Sequence, residues 1–186
     1  MLKKIARRTA EKSGGKFAIV AAKYNAKYTN ALVASAQAEF RAGGAERVEV
    51  FRVPGAFETP VIAAKLAEAE NPHFDVIICF GVVLRGETAH AQHITEAVSF
   101  ALAELQVRAK IPIVHGVLLF ENEEQAKVRC LGKEHNRGME AARTALEMFK
   151  VVEGLGKYMS VPIAEWEKQF RAARKSSARR GERQLR

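Results

Sequence analysis

The chain has 186 residues, 48% hydrophobic and 27% charged, proportions that suit one soluble globular domain with a substantial core. Two cysteines exclude a disulfide framework, and no apolar run reaches the roughly 18 residues of a membrane-spanning helix. The net charge of +9 sits in the two ends, so it does not describe the body of the chain.

Residues 1–15 carry five Lys/Arg against Glu11, and residues 154–186 carry nine against Glu165, Glu167 and Glu182, which leaves residues 16–153 at −1. The expected organisation is a basic lead-in over 1–15, a folded domain over 16–153, and a basic, partly disordered extension over 154–186. Met1 to Lys12 lacks the apolar stretch of a secretion signal, so cytoplasm is the expected compartment.

After Ser13-Gly14-Gly15, the apolar run Lys16–Ala22 predicts a buried strand. Thr29 or Asn30 is the expected cap of a helix that runs to about Arg41 and stops at Gly43-Gly44. Residues 48–53 predict a second strand, and the turn Pro54-Gly55 leads into a helix over about 57–70 that Asn71-Pro72 ends. Residues 74–80 predict the third strand, with the stretch 81–90 as its loop into a long helix over about 91–107. A fourth strand is expected over 111–119 and helices from about 123 to 153. Past Gly154-Leu155-Gly156, residues 163–174 suit a helix with Trp166 and Phe170 four apart, and residues 175–186 a disordered Ser/Arg-rich end. This alternation predicts an α/β fold of flavodoxin-like type, a three-layer sandwich with a four-stranded parallel sheet and helices on both faces.

In such sheets ligands bind at the carboxyl ends of the strands, and each of the four expected loops there carries unusual residues. The first has Tyr24-Asn25 and the second Pro54-Gly55-Ala56-Phe57-Glu58. The third, Gly81-Val82-Val83-Leu84-Arg85-Gly86-Glu87-Thr88-Ala89-His90, offers a hydroxyl, helix-start amides suited to an anion, and a titratable imidazole. The fourth strand contains His115-Gly116 and runs into Glu121-Asn122. Singly, each has a plain structural reading. Tyr24 and Phe57 suit a core, Glu58 suits the first turn of a helix, and a lone histidine such as His90 is more often structural. Together they suit a flat heterocycle beside a small phosphorylated substrate.

Several ordered motifs carry a resemblance: Tyr24-Asn25, VPGAFE at 53–58, GVVLRGETAH at 81–90, GVL at 116–118, ENEEQAKVR at 121–129 and NRGMEAARTALEM at 136–148. Over roughly residues 16–152 the chain resembles the lumazine synthase family of riboflavin biosynthesis. The resemblance implies condensation of 5-amino-6-(D-ribitylamino)uracil with 3,4-dihydroxy-2-butanone 4-phosphate to 6,7-dimethyl-8-ribityllumazine, without cofactor or metal. Additions, eliminations and proton transfers suffice, so positioning and acid–base help are the chemistry required.

By the same resemblance, Tyr24 matches the aromatic that stacks on the pyrimidine, and Ala56, Phe57 and Glu58 the segment binding ring and ribityl chain. Val82, Val83 and Leu84 match the lining of the ring site. Glu87 and Thr88 match the phosphate loop, His90 the proton donor, Arg129 the phosphate-binding arginine, and Lys133 a basic position nearby. His115 stands where the family usually has Phe over the pyrimidine, and Arg137 where it usually has Lys. The resemblance also implies rings of five subunits, in some members assembled into sixty-subunit shells, with each site shared between neighbours. Two other readings remain open to test. One is a non-catalytic paralogue that forms a shell or binds a ligand. The other is a nucleic-acid binder driven by the basic ends, disfavoured because no recognised nucleic-acid motif is present.

Overall fold

The computed structural model of the protein describes residues 14–163 and 165. The expected lead-in up to Ser13, and the expected helix and disordered end beyond Glu165, lie outside the described residues. The described residues form two compact units, one up to Lys150 and one from Val151. In the second unit Lys157 donates to Glu153 at 2.8 Å, one turn away on the same helix.

Four parallel strands build the first unit: β1 (Lys16–Ala22), β2 (Arg47–Val53), β3 (Val76–Leu84) and β4 (Ile113–Phe120), in the order β2-β1-β3-β4. The helices are α1 (Ala26–Ala42), α2 (Thr59–Ala67), α3 (His90–Ala109), α4 (Glu123–Ala126) and α5 (Arg137–Ser160). Parallel neighbours need crossovers, and here each crossover is helical. Strand alternation then sorts side chains into two cores. Phe17, Ile19, Val76, Ile78 and Phe80 pack against Leu32 and Phe40 of α1 and Ala142 and Ala145 of α5. Ala18, Val20, Ile77 and Cys79 pack against Ala63 of α2 and Val98 and Leu102 of α3. Phe17 stacks on Phe40 at 4.4 Å and meets Phe149 edge-on at 5.9 Å, which closes one core at the start of the sheet. The architecture is the three-layer α/β sandwich that the alternation predicts.

Boundaries differ from expectation where loop chemistry outranks local pattern. α1 begins at Ala26, not at Thr29 or Asn30. Asn25 adopts the left-handed conformation (φ 53°), and its carbonyl accepts the Tyr28 and Thr29 amides at 2.9 and 3.1 Å. Thr29 is buried inside the helix. α2 stops at Ala67, three residues before Glu70. β3 runs four residues past Phe80, because Gly81–Leu84 pair with Val117–Phe120 and the Arg85 amide reaches the Phe120 carbonyl at 2.9 Å. The true loop is therefore residues 85–89, and His90 opens α3.

The segment 123–153 is not continuous helix. α4 gives way to a wide turn with i→i+5 hydrogen bonding over Lys127–Leu131, and α5 starts afresh at Arg137. Asn136 sets that start. Its Oδ1 accepts the Gly138 and Met139 amides at 2.9 and 3.2 Å, while its Nδ2 donates to the Cys130 carbonyl at 2.7 Å. α5 then continues through Gly154 and Gly156, so those glycines do not end it. No helix among the described residues is long and apolar enough to cross a membrane.

Candidate active site

The loops after β1 and β2 are locked side by side. The Lys23 amide donates to the Val53 carbonyl at 2.7 Å and the Tyr24 amide to the Pro54 carbonyl at 3.1 Å, so the ladder between the strands continues into the loops. Tyr24 is thereby held next to the Pro54-Gly55 turn. Asn25 ties the same loop to β3 through Nδ2, which donates to the Val82 carbonyl at 2.8 Å. Its left-handed backbone and this bond make Asn25 a brace rather than a ligand group.

After Gly55 a short 3₁₀ turn, Ala56–Glu58, precedes α2. One oxygen of Glu58 accepts the Gly55 amide at 2.8 Å, so part of its carboxylate holds the turn in place. The turn lies close over β3 because residue 81 is glycine: a Cβ there would stand 2.7 Å from the Ala56 Cβ. Ala56 is buried by this approach, whereas Tyr24 and Phe57 are 74% and 58% exposed. Two large aromatics left in water at the carboxyl edge are unexplained by packing. Val82 is buried, and Val83 and Leu84 are half-buried beyond it.

Residues 85–89 are all exposed. Arg85 Nε meets Glu121 Oε2 at 2.6 Å and clips this loop to the turn after β4. The Thr88 hydroxyl accepts the His90 amide at 3.4 Å, a long contact, and the cap residue Ala89 has no side-chain acceptor. The first-turn amides of a twenty-residue helix therefore face a site with positive potential and little internal competition for an anion. Glu87 lies within this loop, and His90 projects from the first helical position.

Arg129 lies elsewhere, on the wide turn packed against α1. Such turns concentrate at functional positions, and the sequence pattern gives no sign of this one. The guanidinium is mostly buried, with Nη2 3.7 Å from Glu140 and without a hydrogen-bond partner. Glu140 bonds instead to Arg137 Nη1 at 2.8 Å. Glu140 also holds one edge of the Arg129 guanidinium through their ion pair, and a planar guanidinium fixed in this way suits an oxyanion at its remaining donors. Glu140, a carboxylate shared by Arg129 and Arg137, was not among the expected site residues, since only the folded turn brings the three together. Tyr28 of α1 anchors α4 by donating to Glu123. Burial raises the Tyr28 hydroxyl to about 12, with the Glu123 carboxylate adding to the shift, so it stays a donor. Lys133 is exposed in the loop before α5.

His115 is not at the carboxyl edge. It sits within β4 opposite Cys79, three ladder positions before Leu118, which pairs with Val82. Strand alternation turns it with Val117 toward the α2/α3 face, where Nε2 lies 3.0 Å from the Ser99 hydroxyl of α3. Partial burial pushes its pKa below the ordinary histidine value. One chain therefore gathers Tyr24, residues 56–58 and residues 82–84 at one edge, but it holds His115 lower on edge strand β4 and Arg129 on the α1 side.

Comparison with known proteins bears on this arrangement. A family model described as 6,7-dimethyl-8-ribityllumazine synthase matches residues 14–153. The chain is 41% identical over 142 residues to a protein of Thermococcus onnurineus named 6,7-dimethyl-8-ribityllumazine synthase, covering 76% of this chain and 91% of that one. A protein of the same name from Stenotrophomonas maltophilia is 38% identical over 142 residues, covering 75% and 90%. Another, from Xanthomonas oryzae pv. oryzae, is 36% identical over 140 residues, covering 74% and 90%. The match spans the whole sheet and every loop described above, and the chain belongs to the 6,7-dimethyl-8-ribityllumazine synthase family.

Proposed function

We propose that the protein condenses 5-amino-6-(D-ribitylamino)uracil with 3,4-dihydroxy-2-butanone 4-phosphate to form 6,7-dimethyl-8-ribityllumazine, releasing phosphate and water. The observation that carries the reading is the exposed aromatic edge of Tyr24 and Phe57, braced beside a helix-start anion site, in a chain of this family.

Tyr24 stacks on the pyrimidine, with Ala56, Phe57 and Glu58 along the ring and ribityl chain and Val82, Val83 and Leu84 lining the ring. Glu58 keeps one oxygen on the Gly55 amide, so its other oxygen is the one offered to ribityl hydroxyls. Thr88, with Glu87 beside it in the loop, and the amides at the start of α3 hold the phosphate end of the second substrate. Arg129 supplies the matching guanidinium, and Lys133 adds positive charge nearby. The pyrimidine amine adds to the ketone and one water leaves to form an imine, phosphate is eliminated, and ring closure with loss of a second water completes the lumazine. His90 moves protons in these steps, close to the leaving phosphate. Bringing both substrates together in register supplies much of the remaining acceleration.

Each site is shared between two copies of the chain, one giving the Tyr24, Phe57 and Thr88–His90 side and the other His115 and Arg129. Support comes from the separation of these groups within one chain and from large apolar residues left in water on α3, Phe100 and Val107. A ring of subunits joined head to tail satisfies every copy, and the ring of five implied by the resemblance is of this type. The catalytic unit spans residues 16–153, with the basic extension outside it.

The direct test mixes both substrates with the purified protein and follows lumazine absorbance together with phosphate release. Equal amounts of the two products are expected. Phosphate release without lumazine, or no turnover where a control enzyme works, overturns the reading.

A further inference from the structure

Residues 85–89 carry Glu87 and Thr88 past the end of β3, yet little holds them. All five are exposed, and a Cβ added at Gly86 would meet nothing within 4 Å. The Thr88 hydroxyl reaches only the His90 amide, at 3.4 Å. Among the described residues, one side-chain ion pair joins this loop to the rest of the fold: Arg85 Nε to Glu121 Oε2 at 2.6 Å. The far end of that pair is firm. The Glu121 amide donates to Gln125 Oε1 at 3.0 Å and the Gln125 amide to Asn122 Oδ1 at 3.0 Å, which closes the turn after β4 on itself. Tyr28 braces the next residue but one, Glu123.

An open loop containing glycine loses conformational freedom when a ligand orders it, and that loss weakens binding unless the loop is held beforehand. Arg85 provides the hold, with its amide on the Phe120 carbonyl at 2.9 Å and its guanidinium on Glu121. Resting on the reading that this loop takes the phosphate end of the second substrate, we infer that Arg85 is a positioning residue for the phosphate subsite, acting through Glu121 rather than by touching the phosphate. The pair presets the residues that follow it, Thr88 above all. The imidazole of His90 and the first-turn amides belong to α3 and do not hang on this pair. Its effect therefore falls on binding of the phosphorylated substrate more than on proton transfer.

The sign of one substitution separates this role from direct contact. Removing a carboxylate beside an anion site favours the anion by charge alone, so weaker phosphate binding in Glu121→Ala is the mark of lost positioning. Calorimetric titration of the assembled protein with inorganic phosphate reads this without turnover. Arg85→Ala and Glu121→Ala should each weaken binding about 2- to 5-fold, the scale of an exposed ion pair, and the double variant no more than either alone. Unchanged or tighter binding in Glu121→Ala, or additive losses in the double variant, overturns the positioning role and makes Arg85 a direct ligand or a bystander. Amide hydrogen exchange over residues 86–89 should quicken in both single variants; unaltered exchange also refutes the inference. In steady-state kinetics each variant should raise KM for the phosphorylated substrate by the same 2- to 5-fold, with smaller changes in kcat and in the pyrimidine KM. A fall in kcat with that KM unmoved contradicts it. Absence of both phosphate binding and lumazine formation in the unaltered protein would refute the underlying reading of the loop, and the inference with it.

Discussion

His90 occupies the first position of α3 with its amide on the Thr88 hydroxyl, so the imidazole and the first-turn amides belong to one rigid element. His90→Ala should lower kcat about 10²-fold, the usual scale of general acid–base help. Part of the rate should persist, because holding the two substrates together is a separate contribution. An unchanged kcat in a correctly assembled variant would remove His90 from the chemistry. Arg129 makes a different prediction, since a planar guanidinium held by Glu140 suits an oxyanion rather than a flat ring. Arg129→Ala should raise KM for the phosphorylated substrate by about ten-fold or more, as loss of a charge-assisted hydrogen bond implies, and spare the pyrimidine KM. Movement of the pyrimidine term alone would reassign the residue. At this scale the sequence is informative where a motif is contiguous: Tyr24, residues 56–58 and residues 82–90 lie in short unbroken runs. It is silent on Glu140 and on the Ser99 contact of His115, and it marks Asn25 as a loop amide without showing that it braces the turn. Their roles arise from contacts that helix starts, a left-handed turn and an edge strand create only on folding.

At the scale of elements, strand and helix order is legible because buried parallel strands are continuous apolar runs and helices alternate with them. Ends are less legible. The apolar run to Phe80 continues into Gly81-Val82-Val83-Leu84, and glycine there reads as a loop although its role is close approach to Ala56. The wide turn at Lys127–Leu131 has no local signature, since its residues suit an ordinary helix equally well. Gly81 gives this scale its prediction. In Gly81→Ala the new methyl meets the Ala56 side chain, so the 3₁₀ turn carrying Phe57 and Glu58 must move away from β3. The strand pairing from Gly81 to Leu84 has no reason to break, so the fold should survive with a stability loss of about 1–3 kcal/mol. The pyrimidine KM should rise while the KM for the phosphorylated substrate changes little. Crystal structures of the variant would show whether the turn has shifted; an unmoved turn with unchanged kinetics would contradict the packing argument.

For the whole molecule, the separation of groups within one chain is the feature that demands explanation. Thr88 and His90 stand at the start of α3, Arg129 on the wide turn against α1, and His115 on the edge strand. In the proposed shared site, one copy's His90 meets the next copy's Arg129 across a head-to-tail interface, and every interface uses two different surfaces. That geometry makes complementation quantitative. His90→Ala chains retain Arg129, and Arg129→Ala chains retain His90. When the two are unfolded, mixed in equal amounts and reassembled, an interface is intact if its His90 side comes from an Arg129→Ala chain and its Arg129 side from a His90→Ala chain. Random assembly produces this at about a quarter of interfaces, whatever the number of subunits in the ring. Assayed with the phosphorylated substrate well below its KM, where both parents are slow, mixed oligomers should therefore recover about a quarter of unaltered activity, above either parent alone. Tagging one variant and isolating it with the other confirms that mixed oligomers have formed. If they form and remain as inactive as the parents, the site is contained within one chain and the shared-site model is wrong.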